Sequence, residues 1–328
     1  MSFYPLCACA VLAVGCSKTD ESRASDALVA TADTSPPSGI IATDQGQILA
    51  VAELDPSHVA WVRLLDGRVT FLSKAGSATP VELDSVPLPD PNWGTEAAIA
   101  HTDELWLWSP PARNELRFLR PDGSGLDALA TIVTDLDAEG DLVVFTDHNA
   151  GLVTWTDSTR LTDRAAPLAT ATVEFASGVA TDGARTWVIE RLAAQLLRFD
   201  TPGAEPVMAA FWPGDNTMDL FRGAAGLTFW NHAKGTVLTL SLDDGASLVE
   251  YEPARGAAGR LAITDRDVYG TTGDFEAPSR AWLWSAPLGG GDAVERLTLG
   301  DGCMPSLAPR ADGTVIVSHC GGRIEVWP

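Results

Sequence analysis

A closed all-β ring of seven four-stranded blades, a β-propeller, is the fold this 328-residue sequence predicts. Three observations carry it. Apolar strand candidates recur at a steady interval, small residues precede them in unit after unit, and the last unit is one strand short while a spare strand stands at the start. The recurring segments are VAWVR from Val59, ELWLW from Glu104, DLVVF from Asp141, RTWVI from Arg185, GLTFW from Gly226, DVYGT from Asp267 and TVIVS from Thr314. Their starts advance by about 42 residues on average. Third strands follow in step, as RVTFL from Arg68, ELRFL from Glu115, GLVTW from Gly151, QLLRF from Gln195, TVLTL from Thr236, RAWLW from Arg280 and RIEVW from Arg323. A repeat of about 40–45 residues holding four short strands is the spacing of a propeller blade. No amphipathic helical periodicity is evident after residue 40.

The first strands read ILAVA, AAIA, SGVAT, GAAG, LAIT and SLAP. In a propeller this strand lines the central channel, where the blades crowd together and small side chains fit. The seventh unit stops at Pro328 after its third strand, and GIIATD at residues 39–44 precedes the first strand of unit one. That segment is expected to complete the last blade and so remove an open edge.

Ahead of the repeats, residues Phe3 to Gly15 are nearly all apolar or small. They are too few to cross a bilayer as a helix, which takes about 20 residues, and they suit the core of a secretory signal. Ala13-Val14-Gly15-Cys16 resembles a bacterial lipobox, although no Lys or Arg precedes the apolar run and Leu12 lies one place early. The resemblance implies that Cys16 is lipidated and becomes the mature N-terminus. Ser17 after it implies sorting to an outer membrane, so a cell-envelope lipoprotein held to the membrane by its N-terminal lipid. An ordinary signal cut by the general signal peptidase is the alternative. Residues 17–38 are rich in Ser, Thr, Asp and Ala and form a flexible tether. The expected organisation is signal 1–15, tether 16–38 and propeller 39–328.

Composition narrows the partners. Asp and Glu number 44 against 22 Lys and Arg, a net charge of −22, which repels nucleic acid. Hydrophobic residues make up 45% of the chain, enough to fill a large core. Of five cysteines, Cys7, Cys9 and Cys16 lie in the targeting segment, leaving Cys303 and Cys320 for the folded body. In an oxidising compartment two such cysteines predict one disulfide. A hairpin turning at Asp312-Gly313 would bring them nearly opposite each other. No Cys or His spacing reads as a zinc site.

With these residues in view, the chain is similar to the seven-bladed NHL-like and YVTN-like propellers of bacterial envelope lipoproteins. The stretch DVYG…RAWLWSAPLGGG carries their strand–turn–strand–glycine pattern. The resemblance covers residues 39–328 and implies a fold, not a chemistry. WD dipeptides and kelch double glycines do not recur. SLDDGASL at residues 241–248 comes near a sialidase Asp-box but occurs once, and reads as a turn between third and fourth strands.

His148, His232 and His319 hold matching places after second strands, in units three, five and seven. Such blades stand too far apart for shared metal ligation, so no metal site is assigned. Most tryptophans fall on strands and are expected in the core or between blades. Trp93 and Trp212 instead lie in loops leading to first strands, with Glu96, Asp135, Glu174, Asp215 and Asp219 nearby. Solvated loops with half-buried aromatics are one reading. The other is a ligand-binding mouth formed by Trp93, Glu96, Trp212, Asp215 and Asp219, able to hold a protein, peptide, glycan or cation. No GxSxG, HExxH, P-loop or Rossmann pattern stands in a suitable context. No catalytic residue or cofactor is therefore named. A lipid-anchored binding or scaffold module is the functional expectation. The alternative is a propeller hydrolase or lyase using mouth carboxylates, with a divalent cation.

Overall fold

The computed structural model describes residues 39–88, 97–111, 114–211, 220–223, 226–231, 234–241, 248–252, 259–272 and 280–328. All belong to the compact unit Ala32–Pro328. They form seven four-stranded antiparallel sheets, each built from strands consecutive in the chain except the last. In that last blade Leu307–Pro309, Val315–Ser318 and Ile324–Trp327 are completed by the N-terminal strand Gly39–Ala42. Gly39 pairs with Val326 and Ala42 with Ile324, so the spare strand closes the ring as expected.

The packing follows the same logic. Seven apolar clusters fill the described residues, and each joins two neighbouring blades. The cluster with Ala42, Val51, Trp61 and Ile316 bridges the last blade to the first, so closure is made in the core as well as along the strand edge. Aromatic pairs seal several seams. Phe71 stacks on Trp108 at 5.6 Å between blades 1 and 2. Trp155 meets Phe199 edge-on at 5.0 Å between blades 3 and 4. Trp155 Nε1 also donates to Thr186 Oγ1 across the same seam, at 2.9 Å. The buried strand tryptophans are thus inter-blade packing, while Trp282 stays half-buried outside these clusters.

Two expectations need correction. The fifth inner strand is Leu220–Gly223, not the small quartet Gly223–Gly226, whose last residue already opens the second strand, Gly226–Asn231. Gly223 is small for a local reason: a Cβ there would lie 1.9 Å from Ile263 O of the next blade. The strand's other residues, Leu220, Phe221 and Arg222, are large, so a scan for small residues slips out of register. The chain also contains a six-residue helix, Ser158–Asp163, between the third and outer strands of blade 3. Asp157 caps it by accepting from Arg160 N at 2.7 Å, and Arg164 ends it with φ 56°. Six residues are too few to display a helical period.

Candidate functional site: the channel and its leading face

Successive inner strands run in the same sense along the channel. The face where they begin also carries the inter-blade connections and the turns from second to third strands. It is called the leading face below. The channel encloses about 270 Å³. Much of its wall is alanine, as at Ala50, Ala98, Ala100 and Ala308, while charged side chains enter from blade 1 at Glu53, from blades 3 and 5, and from Arg260 at the start of blade 6.

The inner strand of blade 3 is Asp135–Glu139, sequence DLDAE. Asp135 and Asp137 stand two residues apart on one side of it. Asp135 Oδ2 accepts from Val179 N at 2.8 Å and Asp137 Oδ2 from Thr181 N at 2.7 Å. Both donors lie on the inner strand of blade 4, so the carboxylates satisfy main-chain groups that the ladder of their own blade leaves open. Ser306 does the same across the last seam, accepting from Val51 N at 3.1 Å.

Arg222 reaches from blade 5 to blade 3. Its Nε lies 3.4 Å from Asp137 Oδ2, and its Nη2 pairs with Glu139 Oε2. The guanidinium therefore braces two blades that are not neighbours. Burial pushes the Asp137 carboxyl up from its ordinary value, opposed by Arg222 and by the Thr181 and Ala138 N–H groups. Near the far mouth Glu53 accepts from Arg310 Nε at 2.9 Å and from Ala311 N at 2.7 Å, tying blade 1 to blade 7.

The residues singled out in the sequence fare unequally. Trp93, Glu96, Trp212, Asp215 and Asp219 lie outside the described residues, as do Cys16, His232 and residues 242–247 of the Asp-box-like turn. Asp135 is not a loop carboxylate but the first residue of an inner strand. His148 Nδ1 lies 2.8 Å from Thr134 Oγ1, and buried His319 has Nε2 2.8 Å from Glu325 Oε1. Each is held within its own blade. The candidate cysteine pair is brought together, with the Cα atoms of Cys303 and Cys320 5.3 Å apart, within disulfide reach.

Other residues escaped the sequence. Asp137, Glu139 and Arg222 sit in inner strands that the run of small residues does not mark. Phe175 is the clearest case. It opens blade 4 on the leading face, is 41% exposed, and holds a φ of 52°. A bulky residue in the left-handed region is a true outlier, at about 1–3 kcal/mol. Arg191 N donates to Phe175 O at 3.3 Å, which sets the next turn beside it, and Leu192 in that turn is 56% exposed. Phe211, 60% exposed, ends the outer strand of the same blade on the same face. Its place in the segment leading into SGVAT, two residues ahead of Ser177, was the available signal, since Trp93 and Trp212 were singled out for leading toward first strands.

Seven closed blades around a channel define the chain as a seven-bladed β-propeller. No family model and no curated protein matches it. Among solved structures it is similar to a streptogramin B lyase, with a TM-score of 0.64 at 11% identity, over 87% of this chain and 94% of that one. It is equally similar to a chain of the mitotic checkpoint complex, with a TM-score of 0.63 at 11% identity, over 97% of this chain and 98% of that one. At such identity the likeness is one of fold.

Proposed function

We propose that this propeller is a binding module of the bacterial cell envelope, anchored by lipid at Cys16 and engaging its partner through the leading face. The observation that carries the reading is Phe175, a large side chain both exposed and held in a strained backbone. Folding alone would place Gly or Asn there. Leu192 and Phe211 add two exposed apolar side chains on the same face of blade 4. Trp93 and Trp212 stand in the connections before inner strands two and five, so aromatics recur in the segments that lead into blades.

Binding is favoured over carboxylate catalysis because Asp135 and Asp137 are spent on main-chain donors and on Arg222. Similarity to a lyase and to a component of a multiprotein assembly favours neither reading by itself.

Phe175→Gly separates the roles. Relief of about 1 kcal/mol of strain offsets part of the lost packing, so stability should stay within about 1 kcal/mol of wild type. Capture of partners from solubilised envelope should fall sharply. A destabilisation of about 3–5 kcal/mol, as for a core Phe, with capture unchanged in the folded fraction would refute the reading. The anchor has its own test: fatty-acid label incorporated equally by wild type and Cys16→Ala would remove it.

A further inference from the structure

The helix Ser158–Asp163 roofs a second cavity, away from the channel, of about 230 Å³. Its walls are the outer strand of blade 2, Asp127–Ala130, and the second and third strands of blade 3, Leu142–Asp147 and Leu152–Asp157. Blade 3 is the one blade whose described residues carry such an insertion. The helix is fixed at its start, where Ser158 Oγ lies 2.8 Å from Thr102 Oγ1, and along its length by Leu161 in the core between blades 2 and 3.

The lining divides sharply by chemistry. Leu129, Phe145 and Leu161 make an apolar interior, with hydroxyls from Thr154 and Thr156. The two charged residues in the lining are both cationic: Arg160 and Arg164, one helical turn apart. In a chain with twice as many acidic as basic residues, no carboxylate lines this cavity. Arg160 Nε lies 3.4 Å from Asp157 Oδ2, yet it is enclosed and makes no hydrogen bond. Arg164 pairs with Asp127. These carboxylates hold the guanidiniums in place and, among the described residues, leave most of each five-donor fork unused. A volume of about 150 Å³ already suffices for benzene in an apolar protein cavity, so this one takes a body somewhat larger.

From this geometry we infer that the cavity beneath the helix binds a small amphipathic carboxylate, its hydrocarbon or aromatic body against Phe145 and Leu161 and its carboxylate on Arg160 and Arg164. A cationic ligand would find no carboxylate in the lining, and a neutral one would leave the forks unanswered. Bidentate Arg–carboxylate contacts supply the selectivity.

The test uses 3-phenylpropanoate and its neutral amide with the purified mature protein, by titration calorimetry. The acid should bind with a dissociation constant below about 1 mM, and the amide about tenfold or more weaker. Arg160→Gln and Arg164→Gln should each weaken the acid severalfold while leaving the amide unchanged. Thr154→Phe should fill the cavity and abolish both, and Ala165→Trp, at an exposed rim position, does the same should the first variant fail to fold. Absence of binding by wild type, equal affinity for acid and amide, or binding that survives the filling variants would each overturn the proposal.

Discussion

Gly270→Ala is the sharpest test of how the blades meet. Gly270 lies in the second strand of blade 6, Asp267–Thr272, directly across from Trp284 in the third. A Cβ built on it would stand 2.2 Å from Trp284 Cζ2 and 2.4 Å from Cε2, where ordinary carbon contacts begin near 3.5 Å. The indole would have to move by more than an ångström. It has nowhere to go, since Trp284 is 1% exposed and meets Trp230 of blade 5 edge-on at 6.3 Å. Trp230 is itself pinned by its Nε1 donating to Gly259 O at 2.6 Å. Overpacking of a rigid core costs about 1–3 kcal/mol, and expelling the ring would approach the 3–5 kcal/mol of losing it. The strand propensity gained by Ala returns less than about 1 kcal/mol. A net loss of about 3 kcal/mol follows, or a fall of roughly 6–12 °C in melting temperature for a domain of this size. Adding Trp284→Phe should recover part of it, a coupling that a thermal double-mutant cycle reads directly. A Gly270→Ala protein within about 0.5 kcal/mol of wild type would refute the packing of this seam.

Two further predictions concern pH and redox. Burial opposes ionisation of Asp182, but the N–H groups of Arg185 and Ala184 and the Arg185 guanidinium outweigh it and hold the carboxyl below its ordinary value of 3.8. A lowered folded-state pKa gives stability that is fully present above about pH 4 and is lost as pH falls through the folded value. Asp182→Asn should therefore lower stability at neutral pH and flatten the acid limb of a urea-midpoint-against-pH curve. An unchanged acid limb would contradict it. For the cysteines, thiol counting on the denatured, unreduced propeller, residues 39–328, should find neither Cys303 nor Cys320 reactive. Reduction should destabilise by about 3 kcal/mol for a loop of this length, and two free thiols would refute the pairing.

What was legible in the sequence is what the ring repeats. Second and third strands are found by their burial, and the burial pattern follows from facing two neighbouring blades at once. The closing strand was legible as arithmetic: the last unit lacked a partner and residues 39–44 had none. Inner strands were legible only where alanine marked them. DLDAE failed that test because two of its polar residues answer the open main chain of blade 4, a need set by the neighbouring blade and invisible in local composition. LFRG failed because its Arg222 spans the channel. Phe175 shares with Trp93 a place ahead of an inner strand, but the property that sets it apart, a positive φ, is fixed by the connection it terminates and is not written in residue type.

Site-specific photo-cross-linking on the full chain in its host cells tests binding through the leading face most directly. A photoreactive residue at Leu192 samples that face, and one at Leu126, 44% exposed in the connection from third to outer strand of blade 2, samples the opposite face. The two differ in face while sharing the fold and comparable exposure. Partner engagement through blade 4 predicts a discrete adduct from Leu192 and none from Leu126. Adducts from Leu126 alone, or equally from both, would contradict it.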